Sequence, residues 1–137
     1  MNVFLDTSVV LRRLLNEPQP VALWGKWKTA YASRIWLTEA FRTVDRLRLD
    51  GRLTDRDVAR LRDELRRVDD SLTIVPLDEA ILARAGEAFP TTLGTLDAIH
   101  LASALNVRGS LKVDRFLTHD RQLALAAASM GFMVVGV

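Results

Sequence analysis

Short apolar runs alternate with amphipathic segments along the chain. The apolar runs predict five strands: Asn2–Leu5, Tyr31–Trp36, Leu72–Val75, Arg115–Thr118 and Phe132–Val137. Apolar spacing and capping residues predict helices between them: Val9–Leu15, Val21–Lys28, Thr38–Arg48, Thr54–Val68, Asp78–Phe89, Thr95–Leu105 and Asp120–Met130. Short apolar strands that alternate with helices are typical of a parallel sheet covered on both faces. We therefore predict one doubly wound α/β domain over residues 1–137.

Composition narrows the classes of protein that remain. With 49% hydrophobic and 26% charged residues, a chain of 137 residues can bury one core and is not predominantly disordered. The absence of cysteine excludes disulfides, thiol nucleophiles and sulfur-ligated zinc. The first residues lack the basic and then apolar pattern of a signal peptide, and no apolar run approaches about 20 residues, so we expect a soluble, cytoplasmic protein without a membrane span. The net charge of +2 does not by itself indicate a nucleic-acid binder.

Four acidic residues fall at the ends of predicted elements. Asp6 follows the first strand, Glu39 and Asp120 begin helices after the second and fourth strands, and Asp97 lies in the first turn of LDAIHLASAL. In a doubly wound sheet these ends share one edge, where ligands bind. Each acid could serve only as a helix cap, worth roughly 0.3–1 kcal/mol, and the spacing alone leaves open whether the four meet.

If these acids meet, their charges constrain the chemistry. Two carboxylates about 4 Å apart repel by roughly 4 kcal/mol at an effective dielectric constant near 20. A cluster of four would therefore protonate, spread apart or hold a cation. An all-oxygen ligand set suits Mg²⁺ or Mn²⁺ better than zinc, and such an ion activates water and neutralises phosphate charge.

Four motifs, in this order, resemble the PIN-domain family, and in particular its VapC-type toxins of bacterial toxin–antitoxin pairs. They are VFLDTSVV, the Thr38-Glu39 helix start, LDAIHLASA and FLTHDRQLALAAASMGF, and the resemblance runs from Val3 to Val137. It implies a five-stranded parallel sheet and a Mg²⁺-dependent endoribonuclease, with Mn²⁺ as the other candidate ion. It also implies a VapB-type antitoxin as partner, RNA as substrate and a homodimer.

The resemblance also implies roles for particular residues. The catalytic and metal-binding acids would be Asp6, Glu39, Asp97 and Asp120. Small polar residues that orient these carboxylates would be Thr7, Ser8 and Thr118. A further acid, Asp114, precedes the fourth strand, so we expect it at the opposite edge of the sheet.

Basic residues offer candidate contacts to RNA or to an antitoxin. Arg12 and Arg13 lie on the helix that begins beside Asp6. The segment Arg42–Arg67 holds nine arginines and six acids, a pattern typical of a solvated, ion-paired helix surface. Alternatively, the arginines of this segment could line a groove that binds RNA phosphates or acidic residues of the antitoxin.

Histidines and tryptophans are assigned mainly to packing. We expect His100 to be a core histidine with its hydrogen bonds satisfied, a contact to the acids being the alternative, and we leave His119 out of the site. Trp24 and Trp27, one helical turn apart, are expected to pack, although stacking on unpaired bases is also possible.

Two other classes of function stay open at this point. One is a catalytically silent PIN-like module that binds RNA or a protein. The other is a receiver or phosphatase domain on a similar sheet, which would need a second acid beside the first strand; here Asp6 is followed by Thr7 and Ser8, and the chain has only three lysines.

Overall fold

The computed structural model describes all residues from 1 to 137. The five strands are β1 Asn2–Leu5, β2 Thr29–Ser33, β3 Thr73–Val75, β4 Arg115–Leu117 and β5 Val134–Val135. The six helices are α1 Thr7–Leu14, α2 Ile35–Leu49, α3 Asp55–Ser71, α4 Glu79–Ala85, α5 Thr95–Ser110 and α6 Arg121–Ser129. None of these helices has the length and apolar character that crossing a membrane requires.

All five strands form one parallel sheet in the order β3-β2-β1-β4-β5. From β1 the chain first builds the sheet outward through β2 and β3, and then returns to add β4 and β5 on the other side of β1. The strand order therefore reverses between β1 and β4. The predicted doubly wound α/β class and the five-stranded parallel sheet are confirmed.

Alternation of side chains along the strands divides the core into two layers. Val3 and Leu5 of β1 belong to the layer that α1, α2 and α3 cover. Phe4 points to the opposite face, stacks on Phe116 of β4 with ring centroids 5.5 Å apart, and belongs to the layer covered by α4, α5 and α6. Helices on both faces leave the ends of the strands as the accessible edges of the sheet.

Two predicted elements differ from the structure in kind. The predicted strand Tyr31–Trp36 ends at Ser33, and Trp36 lies in α2, 1% exposed. Its apolar run is compatible with either a buried strand or a buried helix, so periodicity could not separate them. The predicted helix Val21–Lys28 is instead a series of turns. Gly25 has φ +74°, in the left-handed region that interrupts a right-handed helix.

Other differences concern where elements begin and end. Helix α4 stops at Ala85, with Gly86 as its C-cap, so it does not reach Phe89. Strand β5 contains only Val134 and Val135. The capping box predicted at the start of α3 is confirmed, because Thr54 accepts from the Asp57 backbone while the Asp57 carboxylate accepts from the Thr54 backbone.

Candidate active site

Two loops meet at the carboxyl edge of the sheet, where the strand order reverses. Asp6 follows β1, and Thr118 to Asp120 follow β4, its neighbour. The Asp6 backbone N–H donates to the Leu117 carbonyl at 3.0 Å and ties the two loops together. Both acids also cap helices: Asp6 accepts from the Ser8 N–H, and Asp120 accepts from the Leu123 N–H at 2.8 Å. Capping fixes their backbones, and the topology brings them to the crevice in which doubly wound sheets bind ligands.

The Asp6 carboxylate is buried and held by one of its two oxygens. Only 3% of Asp6 is exposed. Its Oδ2 atom accepts from the Ser8 hydroxyl and, at 2.9 Å, from the Thr118 hydroxyl. Thr118 in turn accepts from the Asp120 N–H at 3.0 Å, which links the two acids. No protein group donates to Asp6 Oδ1, whose nearest cationic neighbour is His100 Nε2 at 3.7 Å.

Glu39 enters the site from α2 and not from a helix N-terminus. Because α2 begins at Ile35, Glu39 lies in its second turn, and the expectation that it begins the helix was wrong. Its Oε2 atom accepts from the Thr7 hydroxyl at 3.0 Å and lies 2.8 Å from His100 Nε2. Thr7 thus contacts Glu39, whereas Ser8 and Thr118 contact Asp6.

His100 differs from the expected satisfied core histidine. It is completely buried, yet its Nδ1 atom has no hydrogen-bond partner, while Nε2 faces Glu39 and Asp6. Burial alone would lower the pKa of His100, but the hydrogen bond to Glu39 and the charges of Asp6, Glu39 and Asp97 raise it above its usual value. The signal in the sequence was its position three residues after Asp97, which places both on one side of α5.

Asp97, in the first turn of α5, brings the fourth carboxylate to the same place. Burial raises the pKa of Asp97 from 3.8 to about 6, together with the charges of Asp6 and Asp120 and a smaller contribution from Glu39; His100 opposes this shift. No hydrogen-bond donor of the protein reaches the Asp97 carboxylate. Four acids from four different elements therefore act on one another electrostatically.

The donor set of this cluster fits a hard cation. One oxygen each of Asp6, Glu39 and Asp120, and both of Asp97, accept no hydrogen bond from the protein. Unpartnered carboxylate oxygens beside one another are the ligands that Mg²⁺ and Mn²⁺ prefer. As the side chains stand, no three acidic or histidine side chains are close enough to form a ligand set. The charges of Asp6, Asp120 and Glu39 thus act on Asp97 although the side chains do not form a ligand set.

His119 and the C-terminal segment support the loop that carries Asp120. The His119 N–H donates to Ser8 Oγ at 3.0 Å, and its Nδ1 lies 2.6 Å from the Gly136 carbonyl oxygen. Gly136 has φ +119°, and a Cβ there would lie 2.3 Å from the Thr118 carbonyl oxygen. Only glycine allows this close approach, so the chain end holds the loop after β4 in place.

Two cavities flank the acid cluster. The larger, of about 510 Å³, lies between α1 and α2 and is lined by Ser8, His119 and Asp120 on the side of the acids. The smaller, of about 300 Å³, contains Glu39. Thr43 and Arg46 line both cavities. An extended ligand could therefore pass from one cavity to the other beside the acids.

Arginines of the larger cavity differ in their ion pairing. Arg12, one of the two arginines singled out in the sequence, lines this cavity and lies 3.7 Å from Glu17; Arg13 is exposed and does not line it. Arg46 and Arg52 also line the cavity, and neither has a carboxylate within 4 Å.

Four of the nine arginines in the Arg42–Arg67 segment form ion pairs with acids of the same segment. The pairs are Arg42–Asp45, Arg48–Asp45, Arg60–Asp57, Arg60–Glu64 and Arg66–Asp63. Arg62 and Arg66 also lie over the Phe41 ring. The segment is therefore ion-paired in part, as expected, whereas Arg46 and Arg52 line the larger cavity without an ion pair.

Two further expectations are confirmed. Asp114 lies at the opposite edge of the sheet, where it accepts from the Asn2 N–H at 2.7 Å and pairs with Lys112 at 3.0 Å. Trp24 and Trp27 pack edge to face, with ring centroids 5.5 Å apart, against the core layer of α1 to α3. Neither feature belongs to the acid cluster.

Comparison with known proteins identifies the fold and the family. The family profile described as PIN domain matches residues 3–128. Ribonuclease VapC47 of Mycobacterium tuberculosis is 32% identical, over 96% of this chain and 93% of that protein. Ribonuclease VapC46 of the same species is 30% identical, over 97% of this chain and 95% of that protein. The chain belongs to the PIN-domain family.

Within that family, the relatives point to one group. The crystal structure of VapC20 of Mycobacterium tuberculosis, a sarcin–ricin loop cleaving toxin, matches with a TM-score of 0.68 and 17% identity over 98% of both chains. VapBC-1 from nontypeable Haemophilus influenzae matches with a TM-score of 0.60 and 14% identity, over 98% of this chain and 96% of that chain. These two structures support the fold, and the two VapC ribonucleases that are 32% and 30% identical show that the chain is a PIN domain of the VapC type.

Proposed function

We propose that this protein is a metal-dependent endoribonuclease toxin that acts through Asp6, Glu39, Asp97 and Asp120. The observation that carries the proposal is that the carboxylates of Asp6, Glu39, Asp97 and Asp120 each keep at least one oxygen that accepts no hydrogen bond from the protein. The charges of the other three raise the pKa of Asp97, and His100 opposes this rise only in part. Identity to proteins named as ribonucleases supports the same reaction class. Mg²⁺ is the proposed ion, with Mn²⁺ able to replace it.

The protein's own residues prepare the site by fixing two of the four acids. Ser8 and Thr118 hold one oxygen of Asp6, and Thr7 holds one oxygen of Glu39, so in each case the other oxygen is left for a cation. A bound Mg²⁺ would supply a water of lowered pKa and positive charge beside the scissile phosphate. The chain has no cysteine, and this chemistry needs no nucleophilic side chain.

RNA is the proposed substrate, and the cavities support a path for it. Arg46 and Arg52 carry charges that no carboxylate of the protein neutralises, and both line the cavity that contains Asp120. Both leucine and arginine side chains line this cavity, and such a mixture suits a base and a phosphate of single-stranded RNA. Since RNA lies in the cytoplasm, we propose that the protein acts there.

A VapB-type antitoxin is the proposed partner, and a homodimer the proposed assembly. Similarity to VapC proteins, and to the structure of a VapBC assembly, supports the antitoxin. We expect a short antitoxin gene immediately upstream of this one, and co-expression of its product should restore growth of cells that this protein arrests. Sedimentation of the purified protein at the mass of two chains would support the dimer, and sedimentation at 15.3 kDa would contradict it.

The decisive experiment for this function is a cleavage assay on total RNA. We expect the purified protein to cut RNA in Mg²⁺, to stop in EDTA, and to regain activity when Mg²⁺ or Mn²⁺ is returned. Cleavage that continues unchanged in EDTA would contradict the metal-dependent reaction. RNA binding without cleavage under every metal condition would instead favour the catalytically silent PIN-like module.

A further inference from the structure

His100 is a buried polar side chain that packing does not explain. It is 0% exposed, and apolar residues of α5 surround it on the helix. Its Nδ1 atom is buried without a hydrogen-bond partner, which costs free energy that an apolar side chain of similar size would not. A residue chosen only to fill the core would therefore not be histidine.

The other ring nitrogen of His100, Nε2, lies where helices α1, α2 and α5 meet. Nε2 lies 2.8 Å from Glu39 Oε2 on α2, 3.2 Å from Thr7 Oγ1 on α1 and 3.7 Å from Asp6 Oδ1. A proton on Nε2 can be donated to Glu39, the nearest of these atoms. Because Thr7 also donates to Glu39 Oε2, this oxygen is held from both α1 and α5.

Thr7 and His100 together fix the orientation of the Glu39 carboxylate. Glu39 reaches the site along a flexible side chain that is about a quarter exposed, and its Oε1 accepts no protein hydrogen bond. Fixing Oε2 between Thr7 and His100 leaves Oε1 as the oxygen of Glu39 that is free to bind a cation. The Asp6 carboxylate is held in the same way, because its Oδ2 atom accepts hydrogen bonds and its Oδ1 atom accepts none.

We infer that His100 is a positioning residue, which orients the Glu39 carboxylate for a divalent cation and does not itself contact substrate. The inference deepens the proposed function by adding a residue to its site. Hydrogen-bond partners of metal-binding carboxylates typically change metal affinity or activity by 10–100-fold when they are removed. His100 is therefore expected to affect cation affinity more than stability.

Two substitutions of His100 separate positioning from packing. His100→Met keeps an apolar side chain of similar size but removes the donor, whereas His100→Gln places an amide N–H near the position of Nε2. Ser103→Ala is the matched control, because Ser103 is equally buried on α5 and donates only to the Ile99 carbonyl. For each full-length variant, the Mn²⁺ dissociation constant is measured by calorimetry and the Tm is measured in EDTA.

The inference predicts a split between the two measurements. His100→Met should raise the Mn²⁺ dissociation constant about 10–100-fold with a Tm no lower than that of the wild type. His100→Gln should restore most of the affinity, and Ser103→Ala should bind Mn²⁺ as the wild type does. If His100→Met does not fold, His100→Asn replaces it, since its shorter amide stops short of Glu39 and should also weaken binding.

The outcomes of this experiment distinguish an error in the positioning role from an error in the proposed function. Wild-type Mn²⁺ affinity in His100→Met, or equal weakening in His100→Met and His100→Gln, would overturn the positioning role and leave the proposed function standing. A wild-type protein that binds no Mn²⁺ would overturn the proposed function, and this inference with it.

Discussion

Asp97→Asn should make the protein more stable at neutral pH while removing its activity. The pKa of Asp97 is about 6 in the folded protein, against 3.8 for an ordinary aspartate. Between these values the folded state holds a proton that the unfolded state has released. The free energy of unfolding therefore falls as the pH rises through this range, and the full loss is present above pH 6. Asparagine cannot ionise, so the variant avoids the loss.

The size of this effect follows from the difference in pKa. A rise of about two in pKa corresponds to about 3 kcal/mol, at 1.36 kcal/mol for each unit. Because Asp97 is only half-buried, solvent screening reduces this value, and we expect about 1.5 kcal/mol at pH 7.5. In a domain of this length that corresponds to a rise of about 5 °C in Tm.

Urea denaturation in EDTA, at pH 4 and at pH 7.5, measures this difference directly. The stabilisation by Asp97→Asn should be present at pH 7.5 and mostly absent at pH 4. Asp114→Asn is a control of opposite sign, because hydrogen bonds from the Asn2 backbone and from Lys112 lower the pKa of Asp114. That variant should lose stability at pH 7.5 and approach the wild type as the pH falls.

One result would refute the reasoning about Asp97. If Asp97→Asn changed the free energy of unfolding equally at both pH values, or lowered it at pH 7.5, Asp97 would not be crowded by the other carboxylates. Added Mn²⁺ provides a second comparison, since an ion that binds the folded state should stabilise the wild type more than this variant.

Three further substitutions test the supports of the site. Thr118→Val removes a donor to Asp6 and should lower kcat about 10–100-fold with a modest change in Tm; an unchanged kcat would contradict the role of this hydrogen bond. Gly136→Ala should destabilise the protein by about 1–3 kcal/mol in thermal unfolding, and a Tm equal to that of the wild type would show that the close backbone approach is not needed. Arg46→Ala should raise KM for RNA and reduce the salt dependence of binding. Arg60→Ala, which removes an ion-paired arginine, should change neither quantity, and equal effects of the two substitutions would exclude a specific role for Arg46.

Much of the fold could be predicted because local and global signals agree. The apolar strands β1 and β4, and the helix starts at Asp6, Thr54 and Asp120, each have a physical signature in a few residues. The alternation of strands and helices then fixes a parallel sheet. Trp36 was misassigned because an apolar run of four to six residues fits either a strand or a buried helix turn, and only packing against α3 and the sheet decides between them.

The sequence was enough to name the acids of the candidate site, but not the hydrogen bonds that hold them. Positions after strands or in first helical turns predicted that Asp6, Glu39, Asp97 and Asp120 lie at one edge of a doubly wound sheet, but the spacing alone left open whether they meet. Which oxygen is held, and by which donor, depends on the packing of three helices. The position of His100 three residues after Asp97 allowed a contact with the acids but equally fitted a packed core histidine. Its orphaned Nδ1 and its contact with Glu39 became visible only in three dimensions.

Cleavage of RNA in Mg²⁺ by the wild type, Asp97→Asn and Asp114→Asn, compared at equal concentration, tests the central claim most directly. The two aspartates lie at opposite edges of the sheet, so the variants differ in position and not in chemistry. The account predicts that the wild type and Asp114→Asn cut RNA and that Asp97→Asn, although folded, does not. Cleavage by Asp97→Asn at the wild-type rate would contradict the assignment of the acid cluster as the active site.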